Sequence, residues 1–244
     1  MPILKKKNRK ELLAQISTHC AECGVRACSI FNDCDPETLD KVSYAKKSFV
    51  YLKGQRILIE GMDEKGIYFI HSGKVKIYKT GKNGRQLIIH LAKSGEAIGF
   101  RDADKASGQP VSAMALEDTR VCHMDRAVFL NIMRDSPEIA IKVLKHFKDL
   151  LTESEEQTLK MARLNVPAKV ADALYTIYLA YGANETDQSL NLRLSRQEIA
   201  DLAGSTKEQI SKTLSDLRMQ GIIRTKGKQI MVLDLKALQA LSEG

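Results

Sequence analysis

The stretch between Pro137 and Pro167 contains no glycine or proline and constrains the fold more than any other part of the sequence. Its apolar side chains recur at intervals of three and four residues, which is the spacing of one helix face. Proline suits the first turn of a helix and stops a helix further along, so we predict one helix of roughly 25–30 residues. A helix of that length needs a partner along its apolar side, and the simplest partner is a second copy in a homodimer.

The predicted dimer interface follows this apolar row. It comprises Val143, Phe147, Leu150, Leu151, Ser154, Thr158 and Met161. The acidic stretch TESEEQ (152–157) interrupts the row, and two copies side by side would bring like charges together. We therefore expect a dimer of limited stability that a switch can tip. The alternative is a helix packed inside one chain, with 152–157 as a solvated stretch.

The part of the chain before this helix has the pattern of short β-strands. The segment KVKIYK (74–79) alternates polar and apolar residues, as a half-buried strand does. Asn83-Gly84 follows and predicts a hairpin with a type I′ turn. Glycines recur between strand-like runs from about residue 53 to 125, which favours a sandwich, barrel or β-roll.

The part after Pro167 is typical of a DNA-binding domain. The segments after Ser195 and Ser205 each begin like a helix with a capping box, formed with Glu198 and Glu208, and Gly204 supplies the turn between them. Two short helices joined in this way form a helix-turn-helix. The following segment IIRTKGKQIMVLD predicts a hairpin with a basic tip, which makes the motif a winged variant.

In this motif the second helix enters the major groove of double-stranded DNA, and residues near its N-terminus meet the base edges. Residues 193–228 carry eight basic and four acidic side chains, an excess that suits phosphates. Carboxylates can accept from cytosine and lysine can donate to guanine. The predicted DNA-binding residues are Arg196, Ser205, Thr206, Lys207, Glu208, Ser211, Lys212, Lys226 and Lys228. The alternative is a helical hairpin with a solvated charged face.

Four of the five cysteines lie in the segment STHCAECGVRACSIFNDC (17–34), and the fifth is Cys122. Clustered thiols in a protein without disulfides bind metal or respond to redox state. Soft thiolates favour iron–sulfur clusters or zinc. Direct thiol–disulfide sensing by Cys20 and Cys23 and haem ligation by histidine (His71, His90 or His123) are the other possibilities.

Composition narrows the class of protein. The formal charge of +8 favours an anionic partner such as nucleic acid. No apolar run reaches the ~18 residues that a membrane span needs, and the basic N-terminus lacks the apolar core of a signal peptide. We therefore expect a cytoplasmic protein without a membrane partner. We expect no enzyme, because no nucleotide-binding loop or catalytic triad order is present, and an iron–sulfur electron carrier would leave the helix-turn-helix unexplained.

The chain resembles the CRP/FNR transcription regulators over residues 36–240. The resemblance rests on the order of the elements and on the β-roll motifs KGQ (53–55), EGM (60–62), YFIHSGKVKIYK (68–79), NGRQ (83–86) and SGEAIGF (94–100). It implies an α+β chain with four parts. These are a cysteine-rich sensor segment (1–35), a β-roll of the cyclic-nucleotide-binding jelly-roll type (36–125), a dimerisation helix (126–166) and a winged helix-turn-helix domain (167–244).

The FNR branch of that family implies an oxygen-labile [4Fe-4S] cluster. Cys20 and Cys23 match its Cys-x2-Cys pair, Cys28 matches the third ligand with a gap one residue shorter, and Cys122 matches the fourth. Cys34 has no counterpart and is the alternative third ligand. The implied partners are a second copy of the chain, a palindromic DNA site and RNA polymerase.

The cyclic-nucleotide branch implies a different signal. It holds the phosphate with an arginine shortly after the Gly-Glu turn, but here SGQPVSAMA (107–115) has none, and only Arg101 lies near. The FNR-type reading pattern Glu-x2-Ser-Arg corresponds to Glu208, Ser211 and Lys212. Lysine lacks the two-pronged contact of arginine, so we expect a related palindrome with a changed preference.

Overall fold

The computed structural model describes residues 19–63, 66–100 and 108–244. The first half of the predicted sensor segment and Arg101 lie outside these ranges. The chain divides into two compact units, one of residues 1–77 and 92–149 and the other of residues 78–91 and 150–244. The predicted domain boundaries stay a prediction. The division into compact units falls within the long helix, and it groups residues 78–91 of the β-region with the C-terminal part.

The first unit begins with the cysteine segment, which forms two short 3-10 turns, Cys20–Glu22 and Arg26–Cys28. Helix α1 (Pro36–Ala45) follows and is capped by the Asp35 carboxylate, which accepts from the Thr38 backbone N–H. Hydrogen bonds from Thr38 lower the pKa of Asp35, so this cap stays ionised and intact at neutral pH.

Among the described residues, eight strands follow α1 and form the predicted β-region. They are β1 (Lys47–Tyr51), β2 (Arg56–Leu58), β3 (Gly66–Ser72), β4 (Val75–Thr80), β5 (Gln86–Ala92), β6 (Ala97–Ile98), β7 (Ser112–Ala115) and β8 (Thr119–Asp125). One sheet has the order β1–β8–β3–β6 and the other the order β2–β7–β4–β5. Two four-stranded sheets in this order confirm the predicted β-roll.

The hairpin between β4 and β5 is present, but its predicted type I′ turn is wrong. That turn needs a positive φ at both central residues, and only Gly84 has one, with φ of 76°. The loop instead spans residues 81–85, where the Gly84 N–H donates to the Gly81 carbonyl and the Gly81 N–H donates to the Arg85 carbonyl. The Asn83 side chain accepts from the Arg85 N–H, so it stabilises the loop rather than supplying the left-handed residue.

Helix α2 (Arg126–Asp135) links the β-roll to the long helix α3 (Pro137–Arg163), whose 27 residues confirm the predicted length. Ile139 and Val143 of α3 are buried in a core cluster that also contains Cys20 and Phe129. The cysteine segment and the first turns of the long helix therefore share one hydrophobic core.

The exposed face of α3 differs from the predicted interface row. Val143 is only 7% exposed and Phe147 packs against the same core, so these side chains already have partners within their own chain. Met161 lies against Gly204, and Leu150 is partly buried. The exposed residues at heptad spacing are Ile141, Leu144, Lys148, Leu151, Glu155 and Thr158. Leu151, Ser154 and Thr158 are thus the predicted interface residues that the structure leaves exposed.

The second unit contains the C-terminal half of α3 and the predicted winged helix-turn-helix. Its further elements are α4 (Val166–Tyr181), α5 (Arg196–Ala203), α6 (Lys207–Met219), β9 (Ile223–Lys226), β10 (Gln229–Val232) and α7 (Leu235–Glu243). Gly182 ends α4 with a φ of 70°, in the left-handed region that glycine adopts without strain. Within the described ranges, no helix is both long and apolar enough to span a bilayer.

Candidate DNA-reading helix and thiol-lined cavity

The helix-turn-helix consists of α5 and α6 with Gly204 between them. Gly204 is left-handed, with φ of 59° and ψ of 41°, so it turns the chain where a side chain would be strained. Ile199 and Leu202 of α5 and Ile210 and Leu214 of α6 are buried. The two helices therefore pack through their apolar faces, and α6 keeps its polar face exposed.

The two helix caps are not both where the sequence pattern predicted them. Ser195 and Glu198 form a complete capping box at α5, as predicted. The second cap is Thr206, whose hydroxyl accepts from the Gln209 N–H, while the Gln209 side chain accepts from the Thr206 N–H. The prediction of Ser205 with Glu208 is therefore wrong by one residue. Ser205 instead donates its hydroxyl to the Gln209 side chain.

The capping box of α6 therefore uses Gln209 and not Glu208. The side chain of Glu208 is exposed, together with those of Lys207, Ser211 and Lys212 on the first turns of α6. Hydrogen bonds from its own backbone N–H and from Thr206, and the positive charges of Lys207 and Arg85, lower the pKa of Glu208. Glu208 is therefore an ionised acceptor, as a contact with a cytosine amino group requires.

The wing and the start of α5 carry the remaining predicted DNA-binding residues. Lys226 and Lys228 flank Gly227 at the exposed tip between β9 and β10. Arg196 is partly buried at the first position of α5, and burial lowers its pKa. Arg224 of β9 is a further exposed cation in the same basic stretch, outside the predicted set.

A cavity of about 50 Å³ lies in the first unit, and three of the five cysteines line it. Cys20 and Cys23 come from the N-terminal segment and Cys122 comes from β8, about a hundred residues later in the chain. Lys46, His71 and Gly95 also contribute to its wall. The fold therefore brings thiols from two distant segments to one place.

Local hydrogen bonds hold these cysteines in position. The Cys20 N–H donates to Ser43 Oγ at 2.8 Å, and Ser43 Oγ donates to the Leu39 carbonyl within α1. Cys122 is placed by the sheet, opposite Ser48 of β1 and Phe69 of β3. Burial raises the pKa of Cys122, the nearby Cys20 and Cys23 raise it further, and the Lys46 ammonium opposes the shift.

Cys28 and Cys34, the two alternative third ligands, lie in different places. Cys28 is exposed, and its Cβ would be 2.8 Å from a Cβ built on Gly95, so it adjoins a residue of the cavity wall. Cys34 packs against the hydrophobic core and does not line the cavity. Burial raises the pKa of Cys34, and Lys142 of α3 opposes the shift.

The donor set is chemically suited to an iron–sulfur cluster, whose usual ligands are thiolates. Within the parts of the chain that the structure describes, no three His, Cys, Asp or Glu side chains stand close enough to ligate one metal ion. Three thiols line one cavity, and the Cβ of a fourth cysteine, Cys28, adjoins the cavity wall at Gly95.

The histidines considered for haem have different surroundings. His71 lines the cavity, and burial together with the charges of Arg120 and Lys46 lowers its pKa. His90 Nδ1 lies 3.0 Å from Glu153 Oε2, and the ring of His123 packs beside Tyr68. Of these three imidazoles, His71 is the one that lines the thiol cavity.

Comparisons with known proteins agree with this architecture. A cyclic nucleotide-binding domain matches residues 48–136, and a Crp-like helix-turn-helix domain matches residues 168–241. The "Anaerobic regulatory protein" of Pasteurella multocida is 26% identical over 96% of this chain and 86% of its own. The "CRP-like cAMP-activated global transcriptional regulator" of Mycobacterium tuberculosis is 25% identical over 86% of this chain and 94% of its own.

A solved structure shows the same fold. FixK2 from Bradyrhizobium japonicum matches with a TM-score of 0.69 and 26% identity, over 80% of this chain and 96% of its own. The matched domains and the relatives named above are those of DNA-binding transcription regulators and not of enzymes. The chain belongs to the CRP/FNR family of transcription regulators. Regulators of this family bind DNA and dimerise, so DNA and a second copy of the chain are its partners.

Proposed function

We propose that this regulator senses oxygen through a [4Fe-4S] cluster held by Cys20, Cys23, Cys28 and Cys122. The observation that carries the proposal is the cavity that Cys20 and Cys23 share with Cys122. Cys28 is the third ligand rather than Cys34, because Cys28 adjoins the cavity wall at Gly95. The cluster would supply reaction with oxygen, and the chain's residues supply the thiolates, the positive charge of Lys46 and an apolar wall.

The signal reaches the long helix through the shared core. Cys20 is buried in the same cluster as Phe129 of α2 and Ile139 and Val143 of α3. Binding of the cysteine segment around a cluster orders the residues that pack beneath the first turns of α3. Loss of the cluster releases that segment and weakens the support of the helix, which shifts the equilibrium between monomer and dimer.

The exposed heptad row of α3 is the surface that a second copy would cover. Ile141, Leu144 and Leu151 are 53%, 67% and 61% exposed, and together they form an apolar row on one helix face of the kind that marks an interaction surface. Lys148 and Glu155 belong to the same row, so they would place charged side chains in the interface between the two copies of α3. Pairing through this row is therefore weak enough for a change in support to control it.

The dimer places two copies of α6 on one palindrome, since a two-fold dimer reads two equivalent half-sites. Glu208, Ser211 and Lys212 are the base readers, and Arg196, Lys226 and Lys228 contact the backbone. Lys212 supplies one point charge where arginine would supply a planar pair of donors, so the base that it meets is specified less strictly. The regulator acts in the cytoplasm, with RNA polymerase as its further partner.

Anaerobic purification followed by iron and sulfide analysis tests the proposal. We expect iron and sulfide in equal amounts, visible absorption and bleaching in air. Cys122→Ser removes a thiol from the cavity and should abolish the bound iron, whereas Cys34→Ser is the matched control and should retain it. Colourless protein with one zinc ion would leave a structural metal site and reject oxygen sensing by a cluster.

The relatives do not decide between oxygen and cyclic AMP, because an anaerobic regulator and a cAMP-activated regulator are about equally similar. Titration of the iron-free protein with cyclic AMP separates the two signals. We expect no binding, since residues 108–115 supply no arginine for the phosphate. Tight binding that promotes DNA recognition without iron would favour the cyclic-nucleotide branch.

A further inference from the structure

The hairpin of β4 and β5 packs with the DNA-binding part of the chain. Its residues 78–91 belong to the same compact unit as residues 150–244. Gly204 is the turn residue of the helix-turn-helix. Leu87 Cδ1 lies 3.8 Å from the point where a Cβ would stand if Gly204 had a side chain. His90 of the same strand contacts Glu153 of α3 at 3.0 Å. The Leu87 contact places the hairpin beside the turn that precedes α6, and the His90 contact joins its second strand to α3.

The tip of this hairpin is strongly basic. Residues 66–95 contain no aspartate or glutamate, and Lys79, Lys82 and Arg85 are exposed around the turn. The hydrogen bonds of the 81–85 loop fix the backbone that carries Arg85. The loop therefore presents positive charge from a defined position, unlike a mobile charged tail.

The position of this charge relative to α6 follows from the contacts. Arg85 precedes Leu87 by two residues in the chain, and Leu87 contacts the turn three residues before α6 begins. The charge of Arg85 also acts on Glu208, where it contributes to the lowered pKa of that carboxyl group. Arg85 is therefore two residues from the contact with the turn, close enough for its charge to act on the first turn of the reading helix.

We propose that the β4–β5 hairpin is a second DNA-contacting element, in which Arg85, with Lys82 beside it, binds phosphates at the edge of the half-site. When α6 lies in the major groove, which is about 12 Å wide, a group beside its first turn faces the phosphates that border the groove. Arginine suits this contact because its planar fork binds two phosphate oxygens. The hairpin thereby connects the β-roll to the DNA.

Arg85→Ala tests the proposal through the salt dependence of DNA binding. Loss of one phosphate contact should reduce the slope of log K against log[salt] by about 0.9. Between 50 and 200 mM salt, the affinity advantage of the wild type should therefore fall by about three- to fourfold. The probes are a random-sequence duplex and a palindrome obtained by selection with the wild-type protein. The base preference should not change, since phosphate contacts carry no sequence information.

The matched control is Lys93→Ala, an exposed cation just beyond β5 and outside the tip. It should leave the slope unchanged, and Arg85→Lys should restore most of it. An unchanged slope with Arg85→Ala overturns the proposal, even where transcription falls, because the tip would then serve a protein partner. Tighter DNA binding with Arg85→Ala also overturns it, because the hairpin would then shield α6. Since the random duplex requires no cluster, these outcomes are independent of the iron analysis.

Discussion

Leu144 provides the sharpest test of which face of the long helix forms the dimer. The side chain is 67% exposed, and its neighbour Val143 is only 7% exposed. Leu144→Ala removes about three carbon groups, each worth about 0.8 kcal/mol on burial. About two-thirds of the side chain is still exposed in the single chain and would be buried only in the dimer. The substitution therefore costs about 1.6 kcal/mol of association free energy per protomer, and about 3 kcal/mol per dimer. The dimer should therefore dissociate roughly a hundredfold more readily.

Sedimentation velocity of the oxygen-free, iron-loaded protein over a concentration series measures this constant. Val143→Ala is the control, because it removes methyl groups from the core of the first unit and should lower the melting temperature more than the dimer affinity. Should Val143→Ala weaken association and Leu144→Ala leave it unchanged, the row Ile141–Thr158 is not the interface. The row predicted from the sequence would then be the correct one.

Three further substitutions test other parts of the account. Cys122→Ser should lose iron and specific DNA binding together while Cys34→Ser keeps both, as measured by iron analysis and fluorescence anisotropy; the opposite pattern would exchange their roles. Gly204→Ala places a Cβ on a left-handed residue, 2.9 Å from Met161 Cε, and should lower the free energy of unfolding in denaturant by at least about 1 kcal/mol. An unchanged denaturation midpoint would contradict this strain. Thr206→Ala should cost about 1 kcal/mol and Ser205→Ala clearly less, since Thr206 is the cap; equal losses would argue against that assignment.

The elements of the fold were predictable wherever the pattern was long and local. The length of α3 followed from the absence of helix breakers between two prolines, and the turn between α5 and α6 followed from Gly204. These features depend on backbone preferences that act within a few residues. The cap at Thr206 was missed because Ser205 and Thr206 each have an acidic or amide residue three positions later, so the pattern fits two registers.

The exposed face of α3 was not predictable from periodicity alone. The helix has apolar residues over more than one face, because one face packs on its own β-roll and another is left exposed. Val143 and Leu144 each belong to a row of residues spaced by three and four, but the two rows lie on different faces of the helix. Only the position of the core, which depends on contacts far apart in the sequence, separates the buried row from the exposed one.

The thiol site was predictable in composition but not in geometry. Clustered cysteines indicated a metal or redox site, and the match of Cys122 came from the family resemblance. That Cys122 reaches Cys20 and Cys23 depends on the pairing of β8 with β1 and β3, which brings residue 122 beside the N-terminal segment. The role of the β4–β5 hairpin was missed for the same reason, because its contact with Gly204 joins residues more than a hundred positions apart.

The most direct test of the coupling between the thiol cavity and the long helix is sedimentation of the anaerobic protein before and after a measured addition of oxygen. The iron that stays bound to the protein is assayed in the same samples. We expect the iron-loaded protein to sediment as a dimer and to become monomeric in proportion to the iron lost. A protein that loses all its iron and sediments as the same dimer would contradict the coupling between the thiol cavity and the long helix.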